Sequence, residues 1–159
     1  MNAQITRRGA AWIAGGIAAA SLHAQGNAPR TAVHQEIDFK AAPARIYDAL
    51  LDARQFAAFT NDTAEIQPQP GGSFRLFGGR IEGRNIELAP NRRIVQAWRP
   101  SSWTAGCYTI VRFELLAAGS VTRIVFDQAG FLEDPAEWGS LDKGWPRMYW
   151  EPLRKYLDM

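Results

Sequence analysis

The sequence predicts an α+β domain in which a curved antiparallel sheet packs around a long C-terminal helix, with two short helices after the first strand. Three observations carry this expectation. Turn signals recur at short intervals from Pro70-Gly71-Gly72 onward, which favours a meander over parallel strands joined by helices. The stretch 109–127 alternates apolar and polar residues, the period of a half-buried strand. Trp145, Tyr149, Leu153 and Tyr156 recur at helical spacing, with Met148 widening the stripe.

The first strand is expected over Val33–Lys40. Ala41-Ala42-Pro43 then opens a helix through Leu51, because proline suits a first helical position whose N–H has no partner; Ile46, Ala49 and Leu50 are its apolar stripe. Asp52 caps a second short helix that carries Phe56 and Phe59 and ends near Thr60-Asn61-Asp62. Gly71-Gly72 leads into a strand at Ser73–Phe77, Gly78-Gly79 into Arg80–Leu88, and Ala89-Pro90-Asn91 into Arg92–Arg99. In the next pair Val111 and Phe113 face inward with Thr122, Ile124 and Phe126. Glu114 and Asp127 then face solvent in cross-strand pairs with Arg112 and Arg123. The closing helical region starts at Asp134-Pro135, is broken by Gly144-Trp145-Pro146, and ends in a helix to about Leu157 that Pro152 should kink.

With 159 residues, 47% of them hydrophobic, the chain bounds one domain with one core. Its formal charge is +2, but removal of residues 1–24 would take Arg7 and Arg8 from the 18 basic residues and none of the 16 acids, leaving neutrality. No basic stripe remains to neutralise phosphates, so nucleic acid is not an expected partner. Cys107 is the sole cysteine, which excludes an internal disulfide and a multi-thiolate metal site; it reads as a small apolar wall residue. No nucleophile with a base, metal-ligand spacing or phosphate loop is present, so no catalytic residue, metal or cofactor is expected.

Residues 1–24 have the anatomy of an export signal: Thr6-Arg7-Arg8 leads into an uncharged run from Gly9 to Ala20 that is too short and glycine-rich to span a bilayer. The paired arginines resemble a twin-arginine signal, with an ordinary secretory signal as the alternative. Cleavage would follow Ala20 or Ala24. Residues 25–32 are then a linker, 33–159 the domain, and the expected location is the periplasm or the exterior, with no membrane span left after cleavage.

Several segments carry a family resemblance: Pro70-Gly71-Gly72-Ser73-Phe74, Ile81-Glu82-Gly83, Glu87-Leu88-Ala89-Pro90, Ile94-Val95-Gln96-Ala97-Trp98-Arg99, and Gly144-Trp145 with Tyr149-Trp150. With them, the order strand, two short helices, six-stranded meander and long last helix resembles the helix-grip fold of the START/SRPBCC superfamily, with about seven strands. From about Glu36 to Leu157 the chain resembles the C-terminal domain of the heat-shock-protein-90 ATPase activator homologues. The resemblance implies a cavity between the sheet and the last helix. It also implies a chaperone as partner, which the expected export disfavours, as does the lack of the activator's separate chaperone-binding domain.

Phe59, Trp98, Trp103, Tyr108, Phe113, Phe126, Trp145 and Tyr149 are the candidate cavity residues, since broad aromatic faces bury area yet leave irregular gaps. An ordinary filled core would use the same residues. Trp103 lies in a loop signal. His34 beside Glu36 or Asp38 suggests an acid/base pair but sits at a strand end. Any of Arg75, Arg84, Arg99 and Arg112 that points inward would hold a ligand carboxylate; alternation places Arg112 outward. The expected function is noncatalytic binding of a hydrophobic or amphipathic small molecule. The alternatives are chaperone activation, or cyclase- or hydrolase-like chemistry on one buried acid or tyrosine such as Tyr108.

Overall fold

A computed structural model of the chain describes residues 32–131 and 135–159. The expected signal at 1–24 and nearly all of the linker lie outside the described residues. The chain runs β1 (Ala32–Phe39), α1 (Pro43–Leu51), α2 (Ala53–Thr60), β2 (Glu65–Ile66), β3 (Ser73–Leu76), β4 (Ile81–Ala89), β5 (Arg93–Pro100), β6 (Thr109–Ala118) and β7 (Val121–Ala129). It closes with α3 (Pro135–Trp145), a π-helical turn (Pro146–Trp150) and α4 (Glu151–Leu157). The strands form one curved antiparallel sheet in the order β1-β7-β6-β5-β4-β3-β2, gripping the terminal helix. Among the described residues no helix is long and apolar enough to cross a membrane.

Local chemistry sets the early elements. Pro43 starts α1, whose buried face is Ile46, Ala49, Leu50 and Leu51. Asp52 caps α2 by accepting from the backbone N–H groups of Arg54 and Gln55 at 3.0 and 2.9 Å, and Asn61 ends it in the left-handed region. One strand escapes the sequence reading: β2 has two residues, too few to show alternation, and is defined only by its pairing with Arg75 and Phe74 of β3.

Gly83 on β4 faces Trp98 of β5 across the ladder. A Cβ there would lie 2.4 Å from the Phe74 ring and 2.0 Å from the Ala97 carbonyl oxygen. The missing side chain is what lets Phe74 and Trp98 pack over the sheet. Gly83→Ala is expected to lower stability by about 1–3 kcal/mol or more, read as a fall in the urea midpoint at constant m value.

The closing helix refines one expectation. At Gly144-Trp145-Pro146 the α-helix ends as expected, but the chain passes into a π turn instead of leaving the helical region, and Pro152 sits in the first turn of α4. Trp145, Trp150 and Glu151 all hold right-handed helical dihedrals, and the backbone widens into a π turn in which the N–H of Glu151 donates to the Pro146 carbonyl. Both prolines flank that turn, where lost backbone donors are accommodated. Pro146 cannot donate to Asp142, and the Gln35 Nε2 of β1 donates to that carbonyl instead at 2.8 Å.

Candidate functional site

The inner face of the sheet carries more than hydrocarbon. Gln96 and Gln128 are buried, each aimed at a tryptophan. Trp98 Nε1 donates to Gln96 Oε1 at 3.1 Å, Gln96 Nε2 to Asn85 Oδ1 at 2.9 Å, and Asn85 Nδ2 to the Gln67 carbonyl at 2.9 Å. Trp145 Nε1 donates to Gln128 Oε1 at 2.8 Å, Gln128 Nε2 to Thr109 Oγ1 at 3.0 Å, and that hydroxyl to the Trp98 carbonyl at 3.1 Å. These chains satisfy the buried side-chain amides of Asn85, Gln96 and Gln128 and fix the orientation of both indoles.

So held, Trp98 and Trp145 face each other at 4.9 Å, and Tyr149 lies 4.5 Å from Trp145 one turn on. The turn after β3 brings in Phe77 at φ 54°, a left-handed conformation that bulky residues seldom take. Its ring packs on Phe56 at 5.4 Å and Tyr149 at 5.6 Å, which offsets the backbone cost. Between this turn and the terminal helix opens a crevice of about 280 Å³. Trp98, Trp145, Tyr149, Phe77, Ile81, Leu141 and Met148 form its apolar wall, Gly144 leaves part of the helix side bare, and Arg80 and Arg147 carry its charge. Beneath it the interior is nearly closed: a void of about 10 Å³ remains beside Ile94, Gln96, Phe113 and Tyr149, near the threshold for one water.

Of the eight candidate cavity residues, Trp98, Trp145 and Tyr149 line the crevice. Phe113 and Phe126 lie beneath Trp145, at 6.0 and 4.2 Å, as filled core, and Phe59 packs on Tyr149 at 6.1 Å from the α2 side. Trp103 and Tyr108 lie elsewhere, because alternation along β5 sends Arg99 to the outer face, where it pairs with Glu82 and takes both residues with it. Arg99 donates to the Trp103 carbonyl and sits 6.0 Å over the Tyr108 ring, and Tyr108 is 43% exposed. Cys107 is half-buried in that same β5–β6 connection rather than in a wall. Phe77, Arg80 and Arg147 were absent from the candidates; the Gly78-Gly79 signal marks the turn but not the inward placement of the Phe before it.

The outer face holds the other polar candidates. Arg84 donates to the Gly71 carbonyl at 3.1 Å, Arg75 is exposed, and Arg112 pairs with Asp127 at 2.6 Å. Arg123 pairs with Asp38 at 2.8 Å rather than with Glu114, because β1 places Asp38 opposite it, and Glu114 is reached by Arg93 at 3.4 Å. His34 stands opposite Asp127 and bonds it through Nδ1 at 2.6 Å, while Glu36 lies 3.8 Å from its Nε2, and the cluster opens to solvent. The hydrogen bond to Asp127 raises the His34 pKa above its ordinary 6.5. Burial pushes the Asp127 carboxyl up, but hydrogen bonds from Arg112 and His34 hold it below its ordinary 3.8. The pair therefore stabilises the fold between about pH 4 and 6.5, fading as pH rises through the raised His34 value. His34→Ala is expected to cost roughly a few tenths of a kcal/mol at pH 5.5 and nothing at pH 9, measured by urea melts at both.

Residues 40–158 match the family described as Activator of Hsp90 ATPase homolog 1-like protein. The chain belongs to this family. Among activator homologues, it is 32% identical over 111 residues to the Activator of 90 kDa heat shock protein ATPase homolog of Dictyostelium discoideum, covering 69% of this chain and 28% of that one. It is 25% identical over 117 residues to human homolog 1, covering 74% and 34%. The chain thus spans about a third of the length of these relatives. In fold it is similar to an HSP90 activator from Plasmodium falciparum, with TM-score 0.75 at 19% identity over 80% of this chain and 96% of that one. It is also similar to a putative protein in the dynemicin biosynthetic locus, with TM-score 0.71 at 19% identity over 82% and 48%.

Proposed function

We propose that this activator homologue is an exported, noncatalytic domain that binds a hydrophobic or amphipathic small molecule in the crevice between the Phe77 turn and the terminal helix. The supporting observation is the crevice itself: an apolar concavity walled by two indoles whose N–H groups are already satisfied from behind, so that carbon faces the opening. Among the described residues, no carboxylate, imidazole or thiol lines it. Tyr149, the tyrosine in its wall, has its pKa pushed well above the ordinary 10.0 by burial, which makes it a poor proton shuttle near neutrality.

Gly144 supplies the test. A Cβ there meets nothing within 4 Å, and the residue lines the crevice from within a helix. Gly144→Ala is expected to raise stability by about 0.5–1 kcal/mol, since glycine loses the most entropy in a helix. Gly144→Phe is expected to fold and to block the crevice. Native mass spectrometry of the chain purified from the periplasm, with organic extraction, should show an apolar species on the wild type and none on Gly144→Phe. Failure of the wild type to bind any member of a broad apolar library would overturn the reading.

Export is tested separately, by fusing residues 1–24 to a reporter active only outside the cytoplasm. Activity is expected, and its loss on changing Arg7 and Arg8 to lysine would assign the twin-arginine route. The family's chaperone-activating members suggest a second reading, in which the domain stimulates a heat-shock-protein-90 ATPase; a cytoplasm-confined chain that accelerates that ATPase would favour it over ours.

A further inference from the structure

We infer that the crevice takes a single-chain amphipath with a monoanionic carboxylate head, its tail against Trp98, Trp145 and Met148 and its head at Arg147 and Arg80. This rests on the binding reading above and names the ligand class. Among the described residues, the charged side chains lining the crevice are these two arginines. Arg80 is already committed: it donates to Asp62 Oδ2 at 2.6 Å and through Nε to the Phe77 carbonyl at 3.0 Å. Arg147 makes no ion pair among the described residues, and Lys143, one turn earlier on the same helix, reinforces its sign. Glu151, one turn later, borders a different groove, against β1.

Among the described residues, the crevice lining itself therefore carries one uncompensated positive charge, Arg147, which a monoanion matches and a dianion overshoots. A guanidinium fork meets a carboxylate with two parallel hydrogen bonds. At roughly 30 Å³ for each small group, the volume accepts on the order of ten non-hydrogen atoms, the length of a medium-chain acid. The apolar wall rejects a second charge along the tail.

The test titrates the full chain with decanoate, decanol, decyl phosphate and decyltrimethylammonium, each below its micelle concentration, following the change in tryptophan fluorescence, to which Trp98 and Trp145 in the crevice wall contribute. Decanoate is expected to bind about three- to tenfold tighter than decanol, with the cation weakest. Arg147→Gln should abolish that preference, and Arg147→Glu should reverse it toward the cation, with decanol affinity moving far less than decanoate affinity in both. Equal binding of decanoate and decanol, indifferent to Arg147, would overturn the anionic head and leave the apolar crevice standing. Decyl phosphate binding tighter than decanoate would overturn the monoanion. Binding of none of the four would remove both this inference and the reading beneath it.

Discussion

Trp145→Ala is expected to lower the stability of the domain by about 4–6 kcal/mol. The indole is 3% exposed and packs on Phe126 at 4.2 Å, Tyr149 at 4.5 Å, Trp98 at 4.9 Å and Trp150 at 5.5 Å, so its removal empties the point where helix and sheet meet. A large aromatic truncated in a core costs about 3–5 kcal/mol. A further penalty of about 1 kcal/mol or more comes from Gln128 Oε1, which loses its donor while remaining buried. Against a typical stability of about 5–15 kcal/mol, the variant is expected to be largely unfolded at growth temperature. Trp145→Phe keeps most of the ring contacts and loses the hydrogen bond, so about 2–3 kcal/mol is expected. Urea denaturation followed by far-ultraviolet circular dichroism separates them. A Trp145→Ala cost below 2 kcal/mol would show that the helix is not anchored through this residue.

That anchoring shows where the sequence was legible and where it was not. The β6–β7 pairing was readable because Arg112 and Glu114 on one strand and Arg123 and Asp127 on the other fall on the face opposite Val111, Phe113, Ile124 and Phe126, and the register Arg112 to Asp127 and Phe113 to Phe126 is consistent with that pattern. Asp52 and Pro43 announced their helices because capping is a local interaction within a few residues. The buried amides were not readable: glutamine at an inward strand position looks like a fault in the alternation until an indole 17 residues away supplies its hydrogen bond. Trp103 and Tyr108 misled for the converse reason, since an aromatic near a loop carries no record of which face its neighbouring arginine will draw it toward. Phe77 was hidden by its backbone, as nothing in a Phe-Gly-Gly run says that the Phe will take the positive φ along with the glycines.

Trp150 was missed through helical geometry, and the same geometry yields the second large prediction. At 100° per residue, positions five apart on an α-helix differ by about 140°, so a regular helix with Trp145 facing the sheet turns Trp150 away. The π turn from Pro146 to Trp150 absorbs the excess, and both indoles face the core, stacked at 5.5 Å with 21° between their planes. Gln35 holds this arrangement from the sheet. Its Nε2 donates to the Asp142 carbonyl that Pro146 cannot serve, and its Oε1 accepts from Trp150 Nε1 at 2.6 Å, so one side chain satisfies the helix on both sides of the turn. Gln35→Leu is expected to cost about 2–4 kcal/mol, because it leaves a carbonyl and a buried indole N–H unpaired at about 1–3 kcal/mol each and recovers little by added apolar contact. Gln35→Glu should cost as much or more: its carboxylate still accepts from Trp150, but the oxygen that replaces Nε2 would face both the Asp142 carbonyl and the Asp142 carboxylate, to which Nε2 also donates at 2.8 Å. A loss in Gln35→Glu that equals or exceeds that of Gln35→Leu, measured by urea melts at pH 7, separates a hydrogen-bonded clamp from simple packing, which the near-isosteric glutamate would preserve. If Gln35→Leu matched or exceeded the wild type, the π turn would be set by the prolines alone and Gln35 would merely fill space beside it.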